Sequence, residues 1–171
     1  MNIVLYQPEI PHNTGAVGRT CLAAGAKLHL IHPLGFLLSQ KHLARAGMDY
    51  WQHVDVVEYA DFDDFLTKNA GARIFLAETR GAMQYTDVAF APDDFIVFGC
   101  ETKGLPRWLL EQYHDSVISI PMKNKQARSL NLSVTVGIIL FEALRQLDLG
   151  DSPQVRGTVP CDTGEITCAD L

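Results

Sequence analysis

The chain has 171 residues, 47% of them hydrophobic and 20% charged, with a formal net charge of −6. Such values suit one globular domain with a sizeable core and exclude a disordered chain. No apolar run reaches the roughly 18 residues of a membrane span, so no membrane partner is expected.

The start, "MNIVLYQPEIPHNTG", lacks the basic opening and cleavage site of a signal peptide, so a cytoplasmic protein is expected. Four scattered cysteines (Cys21, Cys100, Cys161, Cys168) form no CxxC pair, which argues against a disulfide framework or a structural zinc site. An acidic balance argues against a nucleic-acid partner, but the acid is concentrated at one end. Residues 148–171 hold five acids and one base, so they account for −4 of the −6. The body, at about −2, can still carry a basic patch. The sequence thus divides into a domain over 1–147 and an acidic, flexible tail over 148–171.

In chain order, "NIVLY" (2–6) reads as a buried strand ended by Pro8 and Pro11. Asn13 is placed to cap a helix over 14–24 that Gly25 stops. Residues 27–31 form the next strand, and a helix from Ser39 presents Leu43 and Ala46. A strand over 54–59 and an acidic-start helix ending near Gly71 follow. Residues 73–78 and 94–99 are two further apolar strands. Pro106 opens a short helix, where its missing N–H does no harm. A strand over 116–121 precedes the longest helix, 129–147, with Ser129 as its expected cap. This alternation predicts an α/β fold with a mainly parallel sheet flanked by helices. In such sheets ligands bind beyond the carboxyl ends of the strands, here the loops after residues 78, 99 and 120.

Four stretches there could carry chemistry. In "NTGAVGRT" (13–20) the glycines suit close packing, whereas Arg19 near a helix start gains nothing from the helix dipole and suits an anion or a reacting group. "AETRG" (77–81) is either a plain turn or a ligand loop. "FGCETKGLP" (98–106) spaces two glycines as a P-loop does, but has Leu105 and Pro106 where Lys and Ser/Thr are required. Glu101 between those glycines suits a cationic or hydroxyl-rich ligand. In "IPMKNKQARSLNLSVTVG" (120–137), Lys123, Lys125 and Arg128 form a basic loop. Asn131 and Ser133 then open a helix expected to be largely buried, where polar groups need partners. The histidines, "HLIH" (29–32) included, lack metal-ligand spacing and read as structural.

Together these stretches resemble the SpoU branch of the SPOUT superfamily, the knotted RNA ribose 2′-O-methyltransferases. The resemblance rests on Asn13-Gly15-Arg19, on residues 98–106, and on Ile120-Pro121-Met122 with Ser129-Leu130-Asn131-Ser133, in that order along residues 2–147. "NIVLYQPEIPHNTG", "HPLGF" and "RAGMDYW" resemble its minimal members, the tRNA (cytidine/uridine-34-2′-O)-methyltransferases, which lack the extra N-terminal RNA-binding domain of ribosomal-RNA relatives.

The resemblance implies a C-terminal deep trefoil knot, S-adenosylmethionine as cofactor, S-adenosylhomocysteine as product, and no metal. It assigns cofactor contacts to Ala77, Thr79, Gly81, Gly99, Glu101, Gly104, Ile120, Met122, Ser129 and Leu130. It makes Arg19, Asn131 and Ser133 catalytic and expects a homodimer whose sites are completed across the subunits. An arginine stays protonated at its usual pKa, so Arg19 suits phosphate binding or lowering the hydroxyl's pKa better than acting as a base. A tRNA anticodon loop would be gripped by Asn13, Lys41, Arg45, Arg80, Lys103, Arg107, Lys123, Lys125 and Arg128. Phe141 departs from the tyrosine frequent in the subgroup. Two alternatives stay open: a 2′-O-methyltransferase for ribosomal RNA or another tRNA position, and a non-catalytic nucleotide- or RNA-binding module.

Overall fold

Short runs of β-branched and aromatic residues build seven strands: β1 (Asn2–Tyr6), β2 (Lys27–Ile31), β3 (Val56–Tyr59), β4 (Ile74–Ala77), β5 (Met83–Gln84), β6 (Phe95–Phe98) and β7 (Val117–Ser119). The computed structural model describes residues 1–37, 49–124 and 126–147. Every strand pairing in it is parallel, in the order β3-β2-β1-β6-β4-β7-β5. The order reverses between β1 and β6, which opens a crevice at the carboxyl ends of the strands.

Side chains alternate across the sheet and so feed two cores. Ile3, Leu5, Phe75, Ala77, Ile96 and Phe98 face one side, where Val17 and Cys21 of α1 (Pro11–Ala24) meet a long C-terminal helix. Val4, Ile74, Leu76, Phe95 and Val97 face the other, beneath α2 (Phe62–Lys68) and α3 (Arg107–Gln112). Fully buried Phe65 of α2 stabilises that second layer by about 2–3 kcal/mol through area burial alone. Covered on both faces, the strands read as continuous apolar runs, which is why the sequence exposed them.

The helix boundaries differ from expectation in instructive ways. α1 starts at Pro11, before the expected 14, and has Ile10 at its N-cap with no side-chain cap bond. Proline suits that first position, and Asn13 is freed for other work. The long helix, α4 (Leu132–Gln146), begins after Asn131, whose side chain accepts from the backbone N–H groups of Ser133 and Val134. Asn131, not Ser129, is therefore its cap. Asn131 is also exposed and Ser133 only half-buried, so the expected burial of this pair is corrected. The stop at Gly25 holds as read, and Asp61 adds a cap that the sequence reading did not name. Asp61 caps α2 by accepting from Asp64 N–H at 2.8 Å, and Gly25 closes α1 at φ 63°. The helix expected from Ser39, with Leu43 and Ala46, lies outside the described residues, as does the tail from 148.

Toward the amino ends of the strands the buried polar side chains pair within the chain. Buried Asp94 accepts from Arg73 Nε at 2.6 Å and from Ala91 N–H at 2.7 Å. Buried His29 pairs through Nδ1 with the Tyr59 hydroxyl at 2.8 Å and through Nε2 with Asn2 at 3.2 Å. Burial, with a smaller push from Lys27, drives its pKa down to about 4, so the ring is neutral at pH 7.

Candidate active site

At the opposite ends of the strands, β4, β6 and β7 surround a cavity of about 290 Å³, near the lower end of ligand-pocket sizes. Nine of the ten residues expected to hold a cofactor line it: Ala77, Thr79, Gly99, Glu101, Gly104, Ile120, Met122, Ser129 and Leu130. Gly81 does not. It lies instead against the backbone of β7, where an added Cβ would sit 2.6 Å from the Val117 carbonyl oxygen. Gly99 is as tightly placed, because its Cβ would come 2.2 Å from the Gly104 carbonyl carbon. Gly104 combines a φ of 67° with the Glu78 carboxylate, whose oxygen would lie 2.7 Å from an added Cβ. The positive φ is what favours glycine at 104; a Cβ there would also displace the Glu78 carboxylate.

Glu78 was missed by the sequence reading, which left 77–81 as either a plain turn or a ligand loop and gave Glu78 no role. Its carboxylate accepts from Leu105 N–H at 3.1 Å and Thr79 N–H at 3.1 Å, tying two walls of the cavity together. Leu132, Thr135 and Ile139 of α4 were missed as well, and they close the apolar floor. A helical segment gives no local sign of which loop it will cover.

A hydrogen-bonded chain runs along the rim. Ser133 Oγ donates to Asn131 Oδ1 at 2.7 Å, and Asn131 Nδ2 donates to Asn13 Oδ1 at 3.0 Å. Asn13 Nδ2 then donates to Glu101 at 2.9 Å. Glu101 also accepts from the backbone N–H groups of Glu9 at 2.8 Å and Ile10 at 3.3 Å. Three donors from the chain itself thus hold the Glu101 carboxylate in place. It anchors the cavity loop to the start of α1, where a negative charge meets the positive helix end. Glu9 returns the contact by accepting from Thr102 N–H at 2.9 Å and Thr102 Oγ1 at 2.8 Å.

Arg19 stands apart. It is exposed on α1 and does not line the cavity of its own chain. Its guanidinium lies over the Tyr50 ring, 4.5 Å from the centroid. Gly15 and Gly18 are close-packing positions, as the sequence suggested: Tyr50 Oη donates to the Gly15 carbonyl at 2.9 Å, and Trp51 covers Gly18. Of the expected RNA contacts, Lys103 lines the cavity, while Arg80, Lys123 and Arg128 are exposed around it. Arg107 is exposed and paired with Glu111 at 2.7 Å. Lys41, Arg45 and Lys125 lie outside the described residues.

A parallel sheet with glycine-walled loops beyond the carboxyl ends of β4, β6 and β7 has the form of an α/β protein that binds a small ligand there. The chain belongs to the SpoU rRNA Methylase family, whose model matches residues 1–141. The tRNA (cytidine(34)-2'-O)-methyltransferase of Saccharophagus degradans is 44% identical over 152 residues, 88% of this chain and 98% of that protein. Its counterpart from Burkholderia ambifaria is 46% identical over 148 residues, 85% of this chain and 94% of the other. A solved structure described as "Structural insights into the 2-OH methylation of C/U34 on tRNA" is 48% identical with a TM-score of 0.80, covering 85% of this chain and 95% of that one. An AdoMet-bound rRNA methyltransferase from Sinorhizobium meliloti superposes with a TM-score of 0.73 at 28% identity, over 86% of this chain and 56% of that one.

Proposed function

We propose that this protein methylates the ribose 2′-hydroxyl of nucleotide 34, a cytidine or uridine, in tRNA anticodon loops, using S-adenosylmethionine in the cytoplasm. The observation that carries the reading is the cavity, which gathers nine expected residues from two of the three family motifs and the 77–81 loop, in a family whose relatives bear that activity in their names. Its chemistry suits the cofactor. Apolar Ile120, Met122, Leu130 and Leu132 can flank a flat base, and the glycine walls let backbone groups approach closely. Bound there, the cofactor would supply an electrophilic methyl group on a sulfonium, and the carboxylates of Glu78 and Glu101 would lend negative charge to the cavity that holds the cation.

The remaining work falls to the chain. In the reaction the 2′-oxygen forms a bond to the methyl carbon as the carbon–sulfur bond breaks, and the hydroxyl proton leaves to the nucleotide phosphate or a water. In-line placement is the main requirement. Asn131 and Ser133, locked to Asn13 and Glu101, form a polar edge that can orient the ribose. Arg19 supplies positive charge to the phosphate or to the developing alkoxide. Lys103, Lys123, Lys125 and Arg128 grip the RNA backbone.

Arg19 serves the cavity of a second copy in a homodimer. Supporting this, α1, which carries Arg19, packs against α4, and α4 leaves Val134 and Phe141 exposed (49% and 47%) for a partner to cover. The trefoil knot belongs to the same reading. It is supported by the close backbone approach of Gly81 to Val117–Ser119 of β7, two segments distant in sequence. Calorimetry and sedimentation test these claims together. A homodimer that binds S-adenosylmethionine and not ATP is expected; a protein that binds only ATP, or a fully active monomer, contradicts the reading.

A further inference from the structure

An exposed arginine samples many rotamers, and a group that must meet one small reacting centre works best when held before substrate arrives. Tyr50 meets Arg19 at two points. Its ring lies under the guanidinium at 4.5 Å, within cation–π range. Its hydroxyl donates to the Gly15 carbonyl at 2.9 Å. Gly15 precedes Arg19 by four residues within α1, so the same carbonyl accepts the Arg19 backbone N–H in the helical ladder. The tyrosine therefore touches both the charged tip of the arginine and the turn of helix that carries it.

Its neighbour fixes the arrangement. Trp51 lies so close to Gly18 that an added Cβ would come 2.6 Å from its Cζ3 atom. A larger residue at 18 would have to displace the Trp51 ring, the neighbour of Tyr50 in the turn Asp49–His53. Among the described residues no carboxylate pairs with Arg19, so the aromatic face holds the guanidinium without neutralising its charge. A carboxylate in that place would compete with the phosphate or alkoxide that the arginine is to meet.

We infer that Tyr50 is a positioning residue for Arg19, its ring the platform for the guanidinium and its hydroxyl the tether of that platform to α1. The inference rests on the role given to Arg19 above. A merely structural tyrosine is the competing account, because Tyr50 also packs against the core on the α1 side of the sheet.

A series that keeps shape and drains the ring of electron density separates the two. Tyr50→Phe is followed by trifluoro- and pentafluorophenylalanine at position 50, which weaken the negative ring face stepwise. The expected result is a kcat within about threefold of wild type for Tyr50→Phe, then a stepwise fall of about 3- to 10-fold across the series. Thermal midpoint and S-adenosylmethionine affinity should stay constant along it. On an Arg19→Ala background the series should be flat. A kcat independent of fluorination, or a series that still falls without Arg19, overturns the inference while leaving the role of Arg19 intact. Wild-type kcat in Arg19→Ala alone would overturn that role, and the inference with it.

Discussion

Toward the amino ends of the strands, Asp94, His29 and Asn2 find hydrogen-bond partners inside the chain. At the carboxyl ends the same sheet opens into a cavity walled by two acids and two tightly placed glycines, with polar groups along its rim. One end spends its polar groups on stability, and the other holds them in fixed positions around a space. The second arrangement needs side chains far apart in sequence, such as Asn13 with Glu101 and Asn131 with Asn13. It therefore depends on how the loops cross as well as on the strands that carry them.

Two substitutions sharpen that contrast. Gly99→Ala should produce the larger effect. Its Cβ would strike the Gly104 carbonyl carbon at 2.2 Å, forcing the cavity loop apart at an overpacking cost of about 1–3 kcal/mol. Calorimetry is expected to show S-adenosylmethionine binding weakened about tenfold or more, with the cooperative unfolding of the chain retained. Unchanged affinity would break the comparison, since the glycine would then be serving the fold alone.

The effect on ligand binding should be smaller at the amino end, whose test is one of stability read from pH. His29 titrates near 4 in the folded chain against 6.5 for an ordinary histidine. Between these values the unfolded chain binds the extra proton, so stability rises with pH through the window and is lost as pH falls. The full contribution is present above pH 6.5, and its complete loss by pH 4 amounts to roughly 3 kcal/mol. Urea unfolding at pH 7 and 4.5 should show this loss in the wild type and a flatter profile in His29→Gln. Equal pH profiles for the two would remove His29 from the stability account.

The α/β alternation was legible because buried parallel strands announce themselves as apolar runs between turn residues. The cavity loops were legible too, since glycine and proline spacing marks close backbone approach, and nine of ten expected residues line the cavity. What escaped was long-range. Asn13 looks locally like a cap, but its partners are 88 and 118 positions away. Ser129 and Asn131 are both good capping residues, and only the path of the chain into α4 makes Asn131 the cap. Glu78 follows its strand like any polar turn residue, and its bond to Leu105 N–H spans 27 positions. The platform under Arg19 was hidden for the same reason, because Tyr50 reaches Gly15 across 35 positions.

The central claim is that the methyl group lands on the 2′-oxygen of nucleotide 34. Two tRNAs bearing cytidine or 2′-deoxycytidine at position 34 and otherwise identical, incubated with the protein and labelled S-adenosylmethionine, test it most directly. Label is expected in the first and absent from the second, with nucleoside mass spectrometry placing the product at position 34. Equal label in both, or a product mapped to another nucleotide, would contradict it.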